Sequence, residues 1–196
     1  MRVKICGITN LKDALYAISQ DADALGFVFY PKSPRYISPE KAKVIVEQLP
    51  PFIEIVGLFV NETSENINQI CHYTKITLAQ IHFEMPSIEL DKITVRTLKV
   101  IRANSKDDIL NYQSDYRLVD AFCETYGGSG KRLNLEWFNN IDCSKIILAG
   151  GLTSENLLEI KDYNFYGIDV SSSTEKIKGI KDPIKVKKFI KNAKNL

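Results

Sequence analysis

Short apolar runs alternate with amphipathic helical patterns over the whole length of this chain. Eight runs are apolar at almost every position, which is typical of strands buried on both faces of a parallel sheet. These runs cover residues 3–6, 24–29, 53–60, 78–83, 94–101, 117–122, 145–148 and 166–170. Between most of them, apolar residues recur three and four positions apart, as on one face of a helix. The pattern therefore predicts strands and helices in alternation.

Residues that can cap a helix stand where the helical patterns begin. Ser38 and Asp182 are each followed by a proline, which favours the first position of a helix. The other candidate caps are Asn10, Thr63 with Ser64, and Thr153 with Ser154. The segment 84–92 and the segment after the sixth run leave little room for a full helix, so we expect the helical layer to be thin there.

The alternation favours an α/β fold. It predicts a single, compact (β/α)8 barrel over residues 1–196, with short or degenerate helices after strands 4 and 6. An open doubly wound sheet is the alternative, but eight units that close on themselves fit a barrel better. No Gly-x-Gly-x-x-Gly pattern follows the first run, so the binding of a dinucleotide has no support.

Composition and charge exclude several classes of partner. The net charge of +2 is too small to predict nucleic-acid binding. No apolar run approaches the roughly 18 residues of a membrane span. Lysines cluster over residues 176–194, and the basic tail from Lys185 is interpreted as the solvated face of a helix. We expect a monomer, because no helical pattern has an evident exposed apolar face.

The cysteines and histidines argue against a metal site and against disulfides. Cysteines stand far apart, without CxxC or zinc-type spacing, and the two histidines are isolated: Cys6, Cys71, Cys123, Cys143, His72 and His82. The chain enters a strand at once, without the architecture of a signal peptide. We therefore expect free thiols in a reducing cytoplasm.

In such a barrel, the chemistry lies where the strands end. Cys6 ends the first run, and Lys4 shares its face because side chains alternate along a strand. A thiol beside an ammonium is a candidate thiolate base, although an isolated cysteine is more often a small residue of the core.

Other polar residues gather at the same end of their runs. Asp120 lies near the end of the sixth run, Gln80 and His82 share one face of the fourth, and Arg35 lies in the proline-rich loop after the second. Each has an alternative structural explanation, as a turn cap, a buried hydrogen-bonded histidine or a surface ion pair.

Small residues follow the last two runs. Gly150 and Gly151 follow the seventh run, and Ser171 and Ser172 follow the eighth. Barrels commonly bind phosphate at these two loops, where backbone N–H groups and a short helix can face the anion. The four residues therefore predict a phosphate site.

The motifs together resemble those of the phosphoribosylanthranilate isomerase family. The matching segments are VKICGIT (3–9), GFVF (26–29) with SPRYI (33–37), VGLFVN (56–61), QIH (80–82), YGGSGK (126–131), LAGGL (148–152) and GIDVSS (167–172). They run in order over nearly the whole chain, and they are specific in combination rather than singly. The resemblance implies a cofactor-free barrel enzyme of tryptophan biosynthesis that acts on a small phosphosugar.

The resemblance also implies roles for individual residues in an Amadori rearrangement. Cys6 matches the general base, Asp120 matches the general acid, and Arg35 matches the residue that holds the carboxylate of the anthranilate. The two loops above match the phosphate site. Further candidate contacts to the substrate are Gln80, His82 and Asp169.

The chemistry itself asks for an acid with a raised pKa and for a stabilised thiolate. Lys4, or N–H groups near Gly7, could stabilise that thiolate. Strands 1 and 8 are neighbours in a closed barrel, so we also predict a buried Lys4–Asp169 ion pair.

Two positions depart from the family pattern. Phe83 and Ser173 stand where the family usually has glycine, and Ser173 would be strained if its φ were positive. Two other functions remain open. One is the related isomerase of histidine biosynthesis, which typically has an aspartate at the position of Cys6. The other is a phosphosugar-binding protein without catalysis.

Overall fold

The strands close into a parallel barrel. The computed structural model describes residues 1–110, 115–121 and 132–196. Its barrel has the strand order β1 to β8, with β1 paired to both β2 and β8. The strands are β1 (Arg2–Cys6), β2 (Ala24–Val28), β3 (Glu54–Phe59), β4 (Leu78–Ile81), β5 (Arg96–Ala103), β6 (Arg117–Ala121), β7 (Ile146–Leu148) and β8 (Gly167–Val170). The predicted barrel is confirmed, and the open sheet is excluded.

The helices begin at the caps that the sequence predicts in four cases. Side chains of Asn10, Ser38, Thr63 and Asp182 accept hydrogen bonds from N–H groups in the first turn. The helices are α1 (Leu11–Ser19), α2 (Pro39–Val46), α3 (Ser64–Thr74), α4 (Ser87–Leu90), α5 (Lys106–Ile109) and α6 (Pro183–Lys194).

The helical layer is thin over more of the barrel than the sequence predicts. As expected, α4 after β4 has only four residues, and the segment after β6 contains a 3-10 turn at Leu135–Phe138. α5 after β5 is equally short, and a 3-10 helix, Leu157–Tyr163, replaces the helix predicted after β7. The side chain of Asn156 explains the latter, because it is hydrogen-bonded to the backbone of Gly151 and Thr153 instead of starting an α-helix.

Two apolar clusters lie on opposite faces of the strands. The larger cluster fills the space between barrel and helices, and it includes Val3, Ile5 and Val119. A smaller cluster fills the interior of the barrel with Leu78, Leu98, Val100, Leu118, Ile147 and Ala149. Since side chains alternate along each strand, a strand residue two positions from a member of this interior cluster also faces inward, and a neighbour of an outward residue does so too. Lys4 and Cys6 therefore face the interior, opposite to Val3 and Ile5.

A hairpin that the sequence analysis does not predict follows β8. Its strands are β9 (Glu175–Ile177) and β10 (Ile180–Lys181), which are antiparallel and joined through Gly179, whose φ is +83°. The hairpin lies at the carboxyl end of the barrel, directly before α6. No helix within the described residues has the length and apolar character needed to cross a bilayer.

Candidate active site

Cys6 ends β1 above a buried ion pair. The Nζ atom of Lys4 lies 3.0 Å from Oδ1 of Asp169, and the two residues are register partners on β1 and β8. Both side chains are almost fully buried. The predicted Lys4–Asp169 pair is therefore confirmed, and the barrel interior holds a thiol, an ammonium and a carboxylate together.

The surroundings of Cys6 favour its neutral thiol over the thiolate. Burial raises the pKa of the Cys6 thiol, and Asp169 adds to this rise, although Lys4 and Lys181 act in the opposite direction. Burial likewise opposes the charge of Lys4, but Asp169 and Cys6 outweigh it and raise the pKa of the ammonium. The predicted stabilisation by Lys4 thus exists, but the cost of desolvation exceeds it.

Asp120 near the end of β6 has the properties of a proton donor. Burial and the nearby carboxylate of Asp169 raise the pKa of Asp120 to about 6. A hydrogen bond of 2.8 Å from the N–H of Ala121 and the cation of Arg102 oppose this rise. Because Asp169 affects the pKa of both Cys6 and Asp120, all three groups belong to one site.

Gln80 and His82 bring neutral polar groups to the same interior. Gln80 is 1% exposed, and its Oε1 has no hydrogen-bond partner among the described residues. Burial, together with the cations Arg102 and Lys4, lowers the pKa of His82 to about 4, so this imidazole is neutral near pH 7. An unsatisfied buried acceptor is costly and is common where a ligand completes the hydrogen bonds.

Arg35 is not a surface arginine. It is 6% exposed, and its Nε and Nη2 atoms donate to the two carboxylate oxygens of Glu175 at 2.7 and 2.8 Å. Its stem lies against Gly7, where an added Cβ would be only 2.6 Å from Cδ of Arg35. Gly7 also has a φ of +79°, so glycine is required there for two reasons. The stem of Arg35 therefore lies beside the residue that follows Cys6.

The predicted phosphate loops lie side by side at the carboxyl end of β7 and β8. Gly150 and Gly151 have φ angles of +87° and +62°. The hydroxyl of Ser171 donates to the carbonyl of Cys6 at 3.1 Å, and Ser172 begins a 3-10 turn, Ser172–Thr174. All four residues thus stand on adjoining loops, and Ser171 connects these loops to the backbone of Cys6.

Neither departure from the family pattern strains the described backbone. Ser173 is not among the residues with positive φ, and its hydroxyl donates to the carbonyl of Leu152 at 2.6 Å, which joins the two loops. Phe83 packs against the apolar cluster around the barrel, and the N–H of His82 donates to the carbonyl of Phe59 at 3.0 Å. His82 therefore keeps its place directly beyond the end of β4.

Some predicted features fall elsewhere. Cys123 and the segment 126–131 lie outside the described residues. Cys6, Cys71 and Cys143 are free thiols, as predicted, and burial raises the pKa of Cys71 to about 12.

Sequence reasoning overlooked three charged residues. Arg102 is the register partner of Asp120 and shares the inward face of β5 with Val100. Glu175 and Lys181 are buried in the hairpin after β8. Leu98 and Val100 face the barrel interior, so the alternation of side chains along β5 places Arg102, two positions further, on the same inward face. This pattern could have identified Arg102 from the sequence. No comparable local signal distinguishes Lys181 from the exposed lysines around it.

The family model for N-(5′-phosphoribosyl)anthranilate (PRA) isomerase matches residues 3–192 of the chain. The isomerase from Sulfurovum sp. (strain NBC37-1) is 62% identical over 196 residues, which is 100% of both chains.

Solved structures agree with the sequence match. One PRA isomerase, crystallised with reduced 1-(o-carboxyphenylamino)-1-deoxyribulose 5-phosphate, is 42% identical, with a TM-score of 0.86 and 100% of both chains covered. A structure of monomers generated from the dimeric enzyme of Thermotoga maritima is 40% identical, with a TM-score of 0.85 and the same coverage. The matches span the barrel and every loop discussed above. The chain belongs to the N-(5′-phosphoribosyl)anthranilate isomerase family.

Proposed function

We propose that this chain isomerises N-(5′-phosphoribosyl)anthranilate in tryptophan biosynthesis, with Cys6 as general base and Asp120 as general acid. Family membership supports the reaction. The assignment of the two residues rests on one observation: a buried carboxyl with a pKa of about 6 and a buried thiol face the same interior, and Asp169 acts on both. The histidine-pathway alternative loses its support, because the chain belongs to a different family.

The first step is the opening of the ribose ring. Asp120 donates its proton to the ring oxygen as the C1′–O bond breaks, and the nitrogen lone pair forms a C1′=N bond. Because burial keeps Asp120 protonated at higher pH than an exposed aspartate, the donor is available near pH 6.

The second step is the removal of the proton at C2′. The thiolate of Cys6 takes this proton, and the C–H electron pair forms a C1′=C2′ bond that neutralises the iminium nitrogen. The resulting enolamine becomes the ketone when its hydroxyl proton is lost and C1′ gains a proton. Lys4 favours the thiolate form by its charge.

The remaining site residues bind and orient the substrate. Arg35, whose stem lies against Gly7, presents its guanidinium to the carboxylate of the anthranilate, since guanidinium and carboxylate match in geometry. Gly150, Gly151, Ser171 and Ser172 hold the phosphate through the loops after β7 and β8. Gln80, His82 and Asp169 contact the sugar from the interior of the barrel. All these groups lie in one barrel, so the proposal requires only a monomer.

Turnover of PRA by the purified protein tests the reaction, and Cys6→Ser tests the base. Since positioned acid–base groups contribute about 10²- to 10⁴-fold, we expect kcat to fall by that factor in Cys6→Ser. Binding of reduced 1-(o-carboxyphenylamino)-1-deoxyribulose 5-phosphate, called the reduced product analogue below, should change little. The unfolding temperature should also change little. Cys71→Ser is the matched control, because it removes another buried thiol. Undiminished turnover by Cys6→Ser would contradict the base assignment, and no turnover by the natural chain would contradict the reaction.

A further inference from the structure

Glu175 and Lys181 form a buried ion pair that the proposed reaction does not use. They are 6% and 3% exposed, and the carboxylate and ammonium are 3.4 Å apart in the hairpin after β8. Burying charges of this kind carries a large desolvation cost, and an apolar pair is often at least as stable. Stability alone therefore does not explain why the chain keeps them.

Glu175 determines the orientation of Arg35. Its carboxylate accepts from Nε and Nη2 of Arg35, and the N–H of Gly179 donates to the same carboxylate at 3.2 Å. One edge of the guanidinium is thus occupied, while the edge formed by Nη1 and the second hydrogen of Nη2 can hold another carboxylate. The stem is confined at the same time by its contact with Gly7.

Lys181 joins the end of β1 to the loop after β8. Its Nζ atom donates to the carbonyl of Cys6 at 2.6 Å, to the carbonyl of Ser171 at 3.1 Å and to Glu175. Three donors meet three acceptors, as suits an ammonium group. The backbone N–H of Lys181 is itself held by Asp13 at 2.8 Å. One buried lysine thus contacts the backbone of the base and that of the phosphate loop.

We propose that Glu175 and Lys181 are positioning residues that preform both anion-binding ends of the site. Glu175 aims the guanidinium of Arg35, and Lys181 locks the backbone of Cys6 to that of Ser171. The inference rests on the proposed function, because that function supplies a ligand with a carboxylate at one end and a phosphate at the other. Groups held in place before binding need no reorganisation during the reaction.

Glu175→Gln tests the first half with two ligands. The probes are the reduced product analogue and the same molecule without its carboxylate. Since a small misplacement of a binding group can cost up to about 100-fold, we expect binding of the first probe to weaken by about tenfold or more. Binding of the second probe should be unchanged. In an Arg35→Ala background, Glu175→Gln should cause no further loss that is specific to the probe with the carboxylate, because Glu175 acts on that carboxylate through Arg35, whereas its contact with Lys181 would affect both probes alike.

Lys181→Met tests the second half. We expect weaker inhibition by inorganic phosphate and a lower kcat, because the loop of Ser171 and the end of β1 lose their shared donor. Lys178→Met is the control, since Lys178 is exposed on the same hairpin and carries the same charge. This control should leave both quantities unchanged.

The double variant Glu175→Gln/Lys181→Met separates positioning from net charge. Arg35, Glu175 and Lys181 together carry one positive charge, and Arg35 alone carries the same charge in the double variant. This variant also leaves neither partner of the pair charged and unpaired, so it provides the test if a single variant does not fold. We expect the selective loss of the carboxylate probe to persist in it.

Three results would overturn the inference: equal losses for both probes in Glu175→Gln, a further loss specific to the carboxylate probe in the Arg35→Ala background, or full recovery in the double variant. Turnover by the natural chain is measured in parallel. If Glu175→Gln weakens binding of the carboxylate probe selectively but the natural chain does not convert PRA, the proposed function fails and the positioning roles stand.

Discussion

Two levels of the barrel interior differ in chemistry although the same strands build them. Towards the amino ends of β4, β5 and β6, the inward residues are Leu78, Val100 and Leu118. Two positions further along, the same strands carry Gln80, Arg102 and Asp120. The lower level buries apolar surface and stabilises the fold. The upper level buries polar and charged groups, which costs free energy and supplies the chemistry.

Within one continuous core, inward residues nearer the amino ends of the strands stabilise the fold, and those nearer the carboxyl ends carry the reactive groups. Moving two residues along a strand keeps the side chain on the same face but brings it to the carboxyl end, where the barrel opens. Substitutions at the two levels should therefore change different measured quantities.

Asp120→Asn should cause the largest change in activity. Loss of the general acid is expected to lower kcat/KM by about 10²- to 10⁴-fold, without weakening binding of the reduced product analogue. In the natural chain the acid has a pKa of about 6 and the pKa of Cys6 is higher than usual.

The reactive form has Asp120 protonated and Cys6 ionised, which is the reverse of the main form between the two pKa values. Above about pH 6, loss of the acid and gain of the base cancel, so kcat/KM should rise to a plateau near pH 6. The plateau that begins near pH 6 should disappear in Asp120→Asn, and the residual activity should continue to increase with pH as Cys6 ionises. If the activity of the variant still levelled off near pH 6, the plateau would belong to another group, such as the substrate phosphate.

Leu118→Ala should have the opposite profile. Leu118 is 1% exposed in the interior cluster, so its truncation leaves a cavity. We expect the free energy of unfolding to fall by about 2–5 kcal/mol, with kcat within about twofold of the natural value. Denaturant unfolding and steady-state kinetics measure the two quantities. A large loss of kcat in a folded variant would contradict the assignment of the apolar level to stability alone.

Asp120→Asn should also stabilise the protein at alkaline pH. The pKa of Asp120 rises from 3.8 to about 6 on folding, so its stabilising contribution is present below the unfolded pKa and is lost as the pH rises through about 6. A shift of about two units at about 1.4 kcal/mol each corresponds to a penalty of about 3 kcal/mol at pH 8. Unfolding of both proteins at pH 4 and pH 8 measures this difference, and equal stabilities at both pH values would contradict it.

A pair of glycine substitutions gives the finest comparison. An added Cβ at Gly26 would lie 2.8 Å from Sγ of Cys6 and 3.0 Å from Cε of Lys4, whereas one at Gly57 would meet Phe59 and Ile76 outside the barrel interior. Overpacking should cost each variant about 1–3 kcal/mol of stability. Only Gly26→Ala should also lower kcat, because it displaces the thiol. Equal effects on kcat would show that Gly26 does not provide space for Cys6.

Much of this architecture follows from the sequence because it depends on local patterns. Alternation of apolar runs with helical patterns predicts the closed barrel, and side chains at Asn10, Ser38, Thr63 and Asp182 start the helices as expected. The same alternation, with the adjacency of β1 and β8, predicts the Lys4–Asp169 pair. After β7 the sequence predicts an α-helix where the structure has a 3-10 helix, because the hydrogen bonds of the Asn156 side chain to the backbone are not evident in the apolar pattern.

The sequence by itself determined the barrel, the family resemblance and the candidate residues at the strand ends, because short-range periodicity and motif order encode them. Only the tertiary structure decided the electrostatics: that burial outweighs Lys4 at Cys6, that Asp120 is raised to a pKa of about 6, and that Arg35 is held by Glu175. It also placed the ammonium of Lys181 against the carbonyls of Cys6 and Ser171, which are 175 and 10 residues away along the chain. Desolvation and long-range ion pairs depend on which groups share a buried volume, and the linear order of residues does not specify that volume.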